Sequence, residues 1–384
     1  MNRHLFVLGF LLVVASLLSA CSDPNSPENV SGLLQAARNG DTATVKNLLE
    51  RGVDPEATNE NGVTPLQAAS EGGNVATVRL LLEHGAALET ANAKGLRPLM
   101  LAANEGHSDV VAALLDGGAD SDAQNEDGTT ALIFASLGGH LEVMRELLDA
   151  GASPDLADDK QNASVHAATL GHHDDCLRLL AQKGANLDAV NGEGGTPLLW
   201  AVSQGVAPDV DLLLELGASP DAMGSTDETP LWLALHDGQQ AIFHALLKAG
   251  AEVNPKSKRK LPLVKAARSA NLDAVRALLA KGADAKAVNA DGVSCLHAAV
   301  YGGDPEIVRL VLDAGAEVNV VDEPLGQTPL LVSCFLGQEK IVRMLLDAGA
   351  DVGKETKEGI SPLETAVHRN FLPIVDMLLD AGAR

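Results

Sequence analysis

Apolar positions along this chain keep two short helical beats and then start again. In Asn125–Ala157 a polar turn closed by Gly128 leads into an apolar run, Thr130–Leu137, which breaks at Gly138-Gly139 and resumes as Leu141–Ala150. Ala135, Val143, Met144, Leu147 and Leu148 recur at three- and four-residue spacing, which puts one apolar stripe on each of two helices, and Gly151 ends the second. Two helices this short cannot bury their stripes alone. A neighbour of the same shape on either side completes the core, so the pattern predicts a stack of helix pairs.

The period is 33 residues. The residue that opens each first helix recurs at Thr64, Arg97, Thr130, Ala163, Thr196, Thr229, Leu261, Ser294, Thr328 and Ser361, with steps of 33 except 32 before Leu261 and 34 before Thr328. The Gly that ends each second helix keeps the same beat from Gly85 to Gly382, and a further copy, Leu33–Gly52, precedes them. Thr64-Pro65-Leu66, Ser294-Cys295-Leu296-His297-Ala298-Ala299 and Gly315-Ala316-Glu317-Val318-Asn319 resemble the ankyrin repeat, and the likeness covers roughly residues 31–384. The resemblance implies an all-α ankyrin-repeat solenoid of about eleven stacked helix-turn-helix units with short β-turn fingers. It also implies a structural role for His166 and His297, the family's turn histidine, whose imidazole bonds neighbouring turns.

Residues 1–20 read as a signal peptide: Arg3 is followed by the apolar run Leu5–Leu18, too short to span a bilayer, which takes about 20 residues. The junction Leu18-Ser19-Ala20-Cys21 resembles the bacterial lipoprotein signal, which implies a lipid on Cys21; ordinary cleavage near Ala20 would leave Cys21 a spare thiol. Residues 21–30, polar and with two prolines, read as a lipid-anchored tether, and 31–384 as the repeat domain. The expected location is the bacterial cell envelope, lipid-anchored at the outer membrane and facing the periplasm.

Charge narrows the partners. The chain has 28 basic and 52 acidic side chains, a formal charge of −24, and loss of a leader carrying Arg3 would leave −25. Such a surface repels nucleic-acid phosphates and anionic lipid heads, leaving one or more proteins as the expected partners and the N-terminal lipid as the route to a membrane. Oligomeric state is open. Besides Cys21 there are three cysteines: a Cys295–Cys334 bridge between adjacent repeats is one arrangement and buried free thiols the other.

Four constellations bear on chemistry. His172-His173-Asp174-Asp175-Cys176 has metal-ligand residue types, yet His173 aligns with His140 and His107, so the repeat explains most of the run. Asp120-Ser121-Asp122 before Asp127-Gly128 resembles a calcium loop in composition only, without the closing Glu. The cluster Gly192, Gly194, Gly195 has no preceding strand, and Ser164 with His166 has no third member of a triad. The reading is therefore no enzyme, no cofactor and no metal site, with a metal-binding or envelope-protective protein using the central His, Cys and Asp residues as the alternative.

A binding surface remains. The resemblance implies that partners are held by the turn tips and by the exposed ends of the first helices, which line the concave side. That helix-end row reads Glu71, Asn104, Leu137, Leu170, Ser203, His236, Arg268, Tyr301, Phe335 and His368. Leu137 with Leu170 forms one apolar patch, and Tyr301, Phe335 and its neighbour Leu336 another; His236 lies on the same row. Trp200 and Trp232, further inside their helices, read as core. A finger of Lys256, Lys258, Arg259 and Lys260 opens a stretch, Lys256–Lys286, with nine basic residues against Asp273 and Asp284. It reads as a solvated face or as a docking spot for an acidic segment. Finally, the finger glycine is replaced by Gln161, Asp227 and Arg259, which predicts the loosest backbone around residues 160–260. The function expected from all this is a non-catalytic protein-interaction scaffold.

Overall fold

A hydroxyl decides where most first helices begin. In this computed structural model, which describes residues 23–225, 228–257 and 259–384, Thr64, Thr130, Thr196, Thr229, Ser294, Thr328 and Ser361 each accept, at 3.1–3.2 Å, the N–H three residues on. Pro follows at the first helical position in most copies, where its missing N–H costs nothing and its fixed φ is already helical. These caps are local, so each repeat sets its own start.

The described residues contain 22 helices and no strand, in eleven pairs of which 131–138 with 141–149 is representative. The chain divides after Glu193 into an N-terminal unit with five pairs and a C-terminal unit with six. Within each unit every first helix packs on the next first helix and on its own second helix, which closes the apolar stripes. Val143, Met144 and Leu147 are buried, as are the matching Ile307, Val308 and Val311. No described helix is long and apolar enough to cross a membrane.

Two polar ladders run along the stack. His107, His140 and His173 donate through Nε2 to the carbonyls of Glu71, Asn104 and Leu137 at 3.1, 2.9 and 3.0 Å, satisfying the open C-terminal end of the previous first helix. Asn74 does the same for Arg38 O at 2.8 Å, and Gln338 for Val300 O at 2.9 Å. On the fingers, Glu56, Glu89, Asp122 and Asp155 accept the N–H of Ala87, Asp120, Ser153 and Asn186, each 31 residues further on. Asp120 and Asp122 belong to this ladder, which accounts for their resemblance to a calcium loop.

The turn histidine takes its implied place. Ser294 N–H and Oγ meet His297 Nδ1, and Nε2 donates to Gln327 O of the next finger at 2.9 Å. His297 is fully buried and burial lowers its pKa. Gln67 makes the same bridge in the second repeat, donating to Thr90 O and Leu96 O at 2.8 Å.

Two expectations are corrected. Helix Pro27–Asn39 starts inside the stretch read as a tether, because Ser26 caps it and Asn25 accepts Asp54 N–H at 2.8 Å, the bond that the finger ladder makes elsewhere. Trp200 and Trp232 are half-buried instead of core. The last helix pair exposes Val367, Leu372 and Leu379 beside the exposed Asp376 and Asp380. Left-handed backbone without glycine occurs at Gln161, as expected, and also at His172, Ala270 and Asn370 between paired helices, while Asp227 lies outside the described residues.

Candidate functional site

The row of first-helix ends is solvent-facing in both units, and its contents differ. In the N-terminal unit Arg38 Nη2 lies 2.5 Å from Glu71 Oε2, and Leu137 and Leu170 are 47% and 53% exposed. No aromatic ring occupies this part of the row.

In the C-terminal unit the row carries rings with cations laid over them. Trp232 stacks on His236, centroids 5.0 Å apart and planes 14° off parallel, and Lys265 Nζ donates to His236 Nδ1 at 3.1 Å. Lys260 and Lys265 put their ammonium groups 4.9 and 5.9 Å from the Trp232 ring. The Arg268 guanidinium sits 5.4 Å from the Tyr301 centroid, and that of Arg369 only 3.7 Å from Phe335. Tyr301 and Phe335 are 40% and 47% exposed, and Leu336 beside them is exposed as well. Each pair links one repeat to the next, so the rings and cations form a strip across the unit. A cation over a ring is attracted by the ring's negative face, with an energy of about 0.5–1 kcal/mol where water reaches it.

Of the basic finger, Lys256 and Arg259 are exposed and Lys258 lies outside the described residues. Lys260 is turned inward: its Nζ lies 2.5 Å from Glu228 Oε1 as well as over Trp232, so it serves the strip and leaves the finger tip. Trp232, Lys265 and Arg369 were missed by the periodic reading. Arg369 sits one position past the row and Trp232 four before it; the signal was a ring facing a cation one repeat away.

The described residues give the metal-binding alternative no support. His173 Nε2 is bonded to Leu137 O, and Cys176 is buried with its thiol pushed up to about 11, chiefly by desolvation. Among the described residues no group of three or more His, Cys, Asp or Glu is placed to hold a metal ion. Cys295 and Cys334 are free and buried, and burial pushes both thiols up to about 12.

Stacked helix pairs, β-turn fingers and an exposed first-helix row define a repeat protein that presents a surface. The family model for ankyrin repeats in groups of three matches residues 33–125, 99–191, 166–257, 231–322 and 296–384, and the chain belongs to the ankyrin repeat family. Members of this family are generally non-catalytic protein-interaction modules. The chain is 41% identical to human B-cell lymphoma 3 protein over 113 residues, 28% of this chain and 25% of that one. It is 43% identical to Protein PhlB of Serratia liquefaciens over 65 residues, 17% of this chain and 29% of that one. Each match thus spans well under half of the relative's length. Among solved structures, the human ASB11 ankyrin repeat domain superposes with a TM-score of 0.52 at 28% identity, covering 59% of this chain and 99% of that one.

Proposed function

We propose that this protein is a protein-binding scaffold of a bacterial envelope, held to the outer membrane by a lipid on Cys21 and presenting its first-helix row and fingers to partners in the periplasm. One observation carries the binding reading: Leu137, Leu170, Tyr301, Phe335 and Leu336, at or next to the helix-end row, are left exposed on a chain with a formal charge of −24. Exposed apolar and aromatic side chains on an otherwise polar surface are the usual anchors of interfaces. The anchor rests on residues 1–21, which lie outside the described residues, and on their likeness to lipoprotein signals. Two acyl chains hold a protein on a membrane, at about 0.8 kcal/mol per buried methylene.

The binding test is a photo-reactive residue at position 335 or 137 in producing cells, followed by identification of the cross-linked proteins. Recurrent partners at these positions, and none from a second-helix position such as Arg309, are expected; equal labelling from all three would overturn the reading. The anchor is tested by metabolic labelling with palmitate. The wild-type chain should incorporate label and Cys21→Ala should not, whereas an unlabelled wild type overturns the lipid.

A further inference from the structure

We infer that the strip on the C-terminal unit takes an extended, acidic polypeptide segment whose carboxylates pair with Arg268 and Arg369. This rests on the protein-binding reading above and names the chemistry of the partner. The guanidinium groups of Arg268 and Arg369 lie over Tyr301 and Phe335, 5.4 and 3.7 Å from the ring centroids, and each carries five N–H donors in a planar fork that can meet an incoming group. A fork of that kind matches a carboxylate, which accepts two parallel N–H bonds, and a preordered arginine loses less freedom on binding than a mobile one.

Charge complementarity points the same way. Residues 1–193 carry 11 basic and 27 acidic side chains, and residues 194–384 carry 17 and 25. Against that acidic background Lys265, Arg268 and Arg369 lie on or beside one row, and among the described residues no ion pair gives either arginine a carboxylate partner. Between the forks lie the exposed rings of Tyr301 and Phe335 and the side chain of Leu336, an apolar stretch with a cation at each end.

Spacing fixes the segment's length. Arg268 and Arg369 are three repeats apart, and stacked helices are separated by about 8–10 Å, so the forks stand roughly 24–30 Å apart. An extended chain rises about 3.3 Å per residue, which places the two acidic groups about eight residues apart with alternate apolar side chains on the rings. Nucleic acid fits less well. Bases stack best on ring faces free on both sides, and here a cation already lies over one face of Phe335, Tyr301 and Trp232, on a unit whose formal charge of −8 repels phosphates.

The experiment uses the full chain in detergent and a fluorescein-labelled twelve-residue peptide with paired glutamates at both ends and alternating leucine and threonine between. Controls are the same peptide with glutamine for glutamate and a twelve-nucleotide oligothymidine. The glutamate peptide is expected to bind at least tenfold tighter than the glutamine one, to weaken between low and high salt, and to lose at least tenfold with Arg268→Gln plus Arg369→Gln. Unchanged helical circular dichroism and melting keep that loss apart from misfolding. Equal binding of the two peptides, no effect of the double variant, or preference for oligothymidine would overturn the inference. So would self-association of the chain that the double variant abolishes without any peptide binding, which assigns the strip to a second copy. Cross-links from position 335 with no peptide binding would sink only the acidic segment, whereas no recurrent cross-links would sink the scaffold reading itself.

Discussion

The N-terminal unit ends its first helices in Glu71, Asn104, Leu137 and Leu170, and the C-terminal unit ends its own in Ser203, His236, Arg268, Tyr301, Phe335 and His368. Behind these positions the two cores are built alike from Leu, Val and Ala. The contrast separates two kinds of constraint. A buried position must fit its neighbours above and below, so it repeats; an exposed helix end is held by fewer neighbours and is open to specialisation. The same division appears in the charge, a formal −16 over residues 1–193 against −8 over residues 194–384. The acidic unit offers isolated leucines, and the less acidic one offers rings with cations fixed on them.

Removing the rings should produce the largest effect. Tyr301→Ala with Phe335→Ala is expected to weaken capture of the acidic peptide by more than thirtyfold, about 2 kcal/mol, because aromatic anchors dominate interface energy. Leu137→Ala with Leu170→Ala should change it by less than threefold. Equal losses in titrations of the two double variants would erase the functional difference between the units.

A pH effect of intermediate size should set the C-terminal unit apart in stability. Burial lowers the pKa of His297, so the unfolded chain binds a proton more readily there than the folded one does. Stability from this group is therefore full above the ordinary histidine range and falls as pH drops below it, by at most about 1.4 kcal/mol per pH unit. Chemical denaturation between pH 7.5 and 5.5 reads the slope. His297→Gln should flatten it, since Gln67 makes the same bridge without titrating; a slope unchanged in that variant would move the titration elsewhere.

Much of this fold was legible because its signals are local. Thr or Ser before Pro-Leu, three residues ahead of the N–H it caps, marks a helix start without reference to the rest of the chain. The start at Pro27 was legible too, since Ser26-Pro27-Glu28 is such a signal, but the prolines suggested a tether. Exposure of Leu137, Leu170, Tyr301 and Phe335 followed from their register. What the register did not contain is side-chain direction. Lys260 and Arg369 reach rings 28 and 34 residues away through rotatable side chains, and periodicity says nothing of which way these turn. Trp232 was misplaced for the same reason.

Backbone strain gives a smaller, paired test. Ala270 occupies the left-handed region at φ 52°, where the matching residues Gly205, Gly238, Gly303 and Gly337 pay no Cβ penalty. An alanine there costs about 1–2 kcal/mol, and glycine's greater freedom when unfolded offsets part of the relief. Ala270→Gly should therefore raise the C-terminal unit's stability by about 0.5–1 kcal/mol, seen as a higher denaturation midpoint with unchanged m-value. A lower midpoint would mean that the surroundings favour the methyl group.

The least effect is expected in the fifth repeat of the N-terminal unit, where Gln161 at φ 61° replaces the finger glycine and Ala163 replaces the capping hydroxyl. This finger is tied by its own bonds: Asp158 Oδ1 accepts from Lys160 and Asn162 N–H at 2.9 and 2.7 Å, and Gln161 N–H donates to Asp158 O at 2.8 Å. These bonds hold the strained residue in place, so relieving it acts on the finger more than on the whole unit. Gln161→Gly should slow amide hydrogen exchange of residues 158–163 about two- to threefold, equivalent to roughly 0.4–0.7 kcal/mol, and leave residues 64–150 unchanged. In the wild-type chain the same finger should exchange faster than those closed by Gly62, Gly95 and Gly128, all at φ 71–75°. Equal protection of all four fingers would show that left-handed backbone without glycine does not set local looseness in this stack.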